Sequence, residues 1–245
     1  MAELKVPSLQ HLARNSRNTP ERVMKLLVRL ALSPPRFNYN PLYSAIIDLF
    51  IMGVPYADVE QGIRTKVKRP SVRDNLLSVL PLIRDHFQDK TPDFYQVVGR
   101  RYYPVGRGLM VPFEPPMIYG IGGQLYFPWF SFWRKNPLAK ERLSLFVTVV
   151  DELLMDDPDL EAARFEIFDF SVKKKGGKRE LSIIDSKDVP RLTDKRKLEL
   201  LNHFAEGFFR AQEALKGAPK KDKRPEDHPD PDQWGFFDEP PPTVK

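Results

Sequence analysis

Cysteine is absent from this 245-residue chain, which excludes disulfides and thiolate metal sites and leaves Asp, Glu and His as the residues able to ligate a metal. Histidine is scarce. The four present, His11, His86, His203 and His228, show no pairing at ligand spacing. Apolar runs are interrupted by charge or proline well short of the roughly 20 residues that cross a membrane. Residues 1–7 lack the apolar core of a signal peptide, so the sequence reads as cytoplasmic. A Gly-rich phosphate loop is also missing: Gly120-Ile121-Gly122-Gly123 has neither the lysine nor the following helix. No nucleophile stands beside an evident base, and Arg107 between Gly106 and Gly108 reads as a turn.

What is present is enough to fold. With 41% apolar residues the chain can bury an ordinary core. Its net charge of +6 is uneven: residues 1–100 carry 15 basic and 9 acidic side chains, 101–216 carry 19 and 17, and 217–245 carry 5 and 7. Such a positive N-terminal third suits a polyanion, although a basic surface also serves solubility.

Apolar spacing predicts a helix over 19–32, opened by Thr19-Pro20-Glu21 as cap, first-turn proline and acidic first turn, and stopped by Pro34-Pro35. Further helices are expected over 42–52, ending at Gly53, from Tyr56 toward Lys66, and after Pro70, where Pro81 should kink or split the element. Between 94 and 133 prolines and glycines punctuate runs rich in Val, Ile and aromatics, which is strand texture. Strands are expected over 95–103, near 109–113 and 117–119, and over 124–132. Next come a helix over 138–154, two strands at 164–172 and 180–184 joined by a Lys-Gly turn, and a last helix over 193–216. The expectation is an α+β fold: a helical N-terminal unit over 1–90, an α+β domain over 91–216 with a central mixed or antiparallel sheet and two long helices, and a disordered proline-rich tail over 217–245.

Residues 42–87 resemble a helix-turn-helix of the resolvase and transposase kind, in which a helix ends at Gly53 and another starts at once. The resemblance implies a recognition helix beginning Ser71-Val72-Arg73-Asp74-Asn75. Arg73 and Asn75 would then meet base edges, while Arg64, Lys66, Lys68 and Arg69 neutralise phosphates. The alternative is an ordinary packing unit of short helices with a solvated basic face.

A second resemblance is to the PD-(D/E)xK nucleases, carried by the order helix, strand, turn, strand, helix over 138–216, with Asp169 on the first strand and Asp185-Ser186-Lys187 ending the second. It implies that Asp169 and Asp185 hold Mg²⁺, that Lys187 orients the attacking water, and that Glu152 is a third carboxylate. Without it no cofactor is called for. The aromatic run Tyr126 to Trp133, flanked by Arg134 and Lys135, can stack bases, but reads better as a strand buried on both faces. In the tail, Trp234, Phe236 and Phe237 sit among acids and read either as a motif for a protein partner or as a cluster that folds back on the body. The leading functional expectation is a non-enzymatic binding or adaptor protein, DNA-associated through residues 42–87. The rival is a metal-dependent nuclease.

Overall fold

The computed structural model describes residues 4–33 and 39–216. A mixed five-stranded sheet lies between two layers of helices. Its strands are β1 (Phe94–Gln96), β4 (Ile118–Ile121), β5 (Gln124–Ser131), β6 (Arg164–Asp169) and β7 (Ser182–Asp185), in the spatial order β1-β4-β5-β6-β7. All neighbours are antiparallel except β5 and β6, which run parallel because the helix α7 (Glu141–Met155) crosses over between them. A separate hairpin, β2 (Arg101–Gly106) with β3 (Leu109–Phe113), turns through Arg107, whose φ is +53°, between two positive-φ glycines.

Both faces of the sheet are covered, and strand alternation sorts the side chains between them. Phe127 and Trp129 of β5, with Phe165 and Ile167 of β6, join one core with α1 (Leu9–Asn15), α2 (Pro20–Leu32), α7, α8 (Asp194–Lys216) and the β2–β3 hairpin. Phe130 and Phe132, with Phe168 and Phe170, join the opposite core beneath α3 (Asn40–Ile46), α4 (Tyr56–Lys66), α5 (Pro70–Leu77) and α6 (Leu80–Phe87). Burial on both sides is why aromatic residues occupy both odd and even positions along this strand.

Local signals place most element ends. Thr19 caps α2, its side chain accepting from the Arg22 N–H, with Pro20 at the first helical position. Pro81 does divide the expected fourth helix: α5 stops at Leu77, and the proline falls in the first turn of α6, where its missing N–H costs nothing. The helix expected over 42–52 begins as α3, widens into a π-turn over Ile47–Ile51, and ends before Gly53 at φ +63°. The strand expected over 95–103 is two, β1 and β2, which belong to different sheets.

The two cores cut across residue 90. Helices α3 to α6 bury their apolar faces on the sheet, while α1 and α2 pack on its far side with α7 and α8.

Candidate functional site

Among the described residues the carboxyl ends of β5 and β6, the parallel pair of the sheet, bring two loops side by side. The ladder runs slightly past the strands, with the Phe170 N–H donating to the Ser131 carbonyl and the Val172 N–H to that of Arg134. Both loops are cationic. Residues 132–142 carry Arg134, Lys135, Lys140 and Arg142 against Glu141; residues 170–180 carry Lys173, Lys174, Lys175, Lys178 and Arg179 against Glu180.

Helix α1 adds to this rim from one face. Its Arg14 lies over the Trp133 ring, 5.4 Å from the centroid, and His11 meets the edge of the same ring. Arg17 donates to the carbonyls of Arg14 and Ser16. Burial, opposed by nearby Tyr39 and reinforced by Arg142, holds the Arg14 guanidinium below its usual pKa. Arg17 is lowered by burial and then by Arg142, Arg14 and Arg29. Burial is the chief cause in both, and like charge from neighbouring arginines adds to it at Arg17.

The carboxylates nearest the rim are engaged. Asp169, buried at the end of β6, accepts from the Ser171 N–H at 3.0 Å, the Ser171 hydroxyl at 3.1 Å and Lys173 Nζ at 2.7 Å. Glu141 accepts from Arg196 at 2.7 Å. Beside Asp169 in the parallel register, the buried hydroxyl of Ser131 has no hydrogen-bond partner.

Arg179 organises the rim from within. Buried at 7% exposure, it donates to the Phe132 carbonyl at 3.1 Å, the Phe170 carbonyl at 2.8 Å and Asn75 Oδ1 at 2.6 Å, tying both strand ends to α5. A planar guanidinium reaches three acceptors in this way where lysine would not.

Of the residues assigned to DNA by the helix-turn-helix resemblance, Asn75 therefore turns inward onto Arg179. Arg64 is held by Glu60 across one helical turn at 2.6 Å. Lys66 is exposed, Lys68 donates to the Thr65 carbonyl at 3.3 Å, and Arg69 and Arg73 are half-buried around the start of α5.

The nuclease constellation is not assembled. Asp185 pairs in register with Glu166, so these two share the face beneath α3 to α6. Asp169 lies an odd three residues beyond Glu166 and points to the other face. Lys187 is exposed, its backbone N–H accepted by the Asp185 side chain. Glu152, late in the crossover helix, lies at the opposite end of the strands from Asp169 and accepts from Tyr103 and Lys197. Among the described residues no group of three or more Asp, Glu or His is placed to hold a metal ion. Trp234, Phe236 and Phe237 lie outside the described residues.

Asp185 instead belongs to a self-satisfied cluster. Arg164 reaches Glu166 at 3.2 Å and Asp185 at 2.8 Å, and Lys90 meets His86 Nε2 at 2.7 Å. Burial chiefly raises the Glu166 pKa, with Arg164 opposing and Asp185 adding to the rise.

The parts of the rim lie far apart in the chain, which hides it from a reading along the sequence. Only the lysine run at 173–175 is conspicuous there, as a hairpin turn. No protein-family model, curated protein or solved structure matches this chain.

Proposed function

We propose that this chain is a non-enzymatic nucleic-acid-binding protein that grips the phosphate backbone with the cationic rim at the carboxyl ends of β5 and β6. One observation carries the reading. The two loops that extend from the parallel strands hold nine Lys and Arg against two acids, seven of them left to face solvent once Arg179 is buried and Lys173 is paired with Asp169, and α1 adds Arg14 and Arg17. Trp133, partly exposed beneath Arg14, offers a ring on which a base can stack. Arg64, Lys66, Lys68, Arg69 and Arg73 lie around the α4–α5 junction, and Asn75 connects α5 to the rim through Arg179. They serve as flanking phosphate contacts in this reading.

Fluorescence anisotropy with a labelled 30-nucleotide single strand and its duplex tests it. Binding should weaken with salt with a log–log slope of about −4 to −6, as expected for five to seven phosphate contacts. Reversing Arg17, Arg142, Lys174 and Lys175 to Glu should cost at least about tenfold at low salt and flatten that slope. Reversing Arg64, Lys68 and Arg73 should cost less. Salt-insensitive binding, or binding untouched by the rim reversals, rejects the proposal.

A further inference from the structure

The segment 226–239 holds six carboxylates, Glu226, Asp227, Asp230, Asp232, Asp238 and Glu239, with no lysine or arginine, and encloses Trp234, Phe236 and Phe237. The hairpin loop 173–179 holds five cations and no carboxylate. Charge of one sign on each, within one chain, is the complementarity that guides an intramolecular encounter.

Next to that loop the surface also offers apolar contact. A shallow cleft of about 490 Å³ between α6 and the segment 179–181 that leads into the edge strand β7 is lined by Leu82, Asp85, His86, Arg179, Glu180 and Leu181. Ile183 on the same strand is 43% exposed, although it faces the side of the sheet that α3 to α6 cover elsewhere. Among the described residues strand β7 has a partner on one side only, so backbone groups of its outer edge are open to an extended segment.

Reach is not limiting. Trp234 lies eighteen residues beyond Lys216, the last residue of α8. Extended, they span about 60 Å, against a radius of gyration of about 17 Å for a folded body of this size.

We propose that segment 226–239 docks on its own body, acids on the 173–179 loop and aromatics against the cleft between α6 and residues 179–181, and so competes with nucleic acid for the rim. The docking stands on these surfaces; its role as a competitor rests on the nucleic-acid reading above. A tethered segment acts at an effective concentration near the millimolar range, enough for even a weak contact to lower apparent affinity about tenfold.

Three full-length proteins test this: the natural chain, one carrying E226Q, D227N, D230N, D232N, D238N and E239Q, and one carrying W234A, F236A and F237A. The neutralised chain should bind the labelled 30-nucleotide strand about tenfold tighter at low salt, converging with the natural chain at high salt. The aromatic variant should gain less. A synthetic peptide of residues 226–239 should bind the neutralised chain, displace the oligonucleotide, and lose its hold when Lys173, Lys174 and Lys175 become Glu. Equal affinity of all three proteins with no peptide binding overturns the proposal, as does a peptide that binds a foreign protein but never this body. Peptide binding without oligonucleotide binding by any form establishes the docking and removes the nucleic-acid reading instead.

Discussion

At the scale of single residues, Arg179 and His86 show how much depends on side chains that composition cannot distinguish from their neighbours. Arg179 ends a run of lysines, yet it alone of that loop is buried, with both strand-end carbonyls on its guanidinium. Truncation strips partners from two buried carbonyls, so Arg179→Met should destabilise by about 2–4 kcal/mol in urea unfolding. Arg179→Lys should recover only part, since an ammonium lacks the planar fork; full recovery would mean charge alone matters. His86 makes a pH prediction. Burial, with Lys90 adding to it, depresses its pKa to about 4, while an unfolded chain titrates it near 6.5. The unfolded state therefore binds the proton first as pH falls, and stability drops from pH 6.5 down to about 4. His11, lowered by burial to about 3, pulls the same way. The Tm of His86→Gln should decline less steeply over that interval than that of the natural protein, and parallel declines would refute the assignment.

Elements were legible where the sequence carries a local signal and illegible where only a partner decides. Proline at the start of α2, α5 and α6 and glycine after the π-turn fixed those ends, and the lysine-glycine turn announced the β6–β7 hairpin. The split of β1 from β2 carries no such mark, because pairing with β4 or β3 decides it. Gly207 is the clearest case of a hidden requirement. Inside a long helix a glycine reads as a weak point of about 1 kcal/mol relative to alanine. Here α8 crosses α2 so closely that an added Cβ would stand 2.5 Å from Val23 Cβ and 2.7 Å from the Pro20 carbonyl oxygen. Both obstacles are rigid parts of a helix start. Gly207→Ala should therefore lower stability by about 1–3 kcal/mol despite its better helix propensity. A gain on thermal melting would show that the helices separate freely.

For the molecule as a whole, hydrophobic alternation gave the α+β class and the buried aromatic strand, but no sequence signal showed which helices share a face. A boundary near residue 90 was the natural expectation, since helical texture gives way there to strand texture. The cores divide differently. Helices α3 to α6 complete theirs with Met117, Tyr119, Phe130, Phe132, Phe168 and Phe170, all of them later in the chain. Without those six side chains, buried Leu42, Phe50, Leu76, Ile83 and Phe87 would face water, and at about 25 cal/mol per Å² that exposure outweighs what four short helices gain alone. Phe87 alone packs on Phe50, Phe130 and Phe168, with ring centroids 4.5–6.4 Å apart. A chain of residues 1–90 should accordingly show little helix by circular dichroism at 25 °C and gain it only in alcohol. A full-length chain carrying W234F should unfold in one transition, with the fluorescence of Trp129, buried in the core opposite α3 to α6, and of Trp133, packed against that core, coinciding with far-ultraviolet dichroism. A cooperatively melting 1–90 fragment, or two separated transitions, would restore the boundary at residue 90 and make the sheet a mere neighbour of the helical unit.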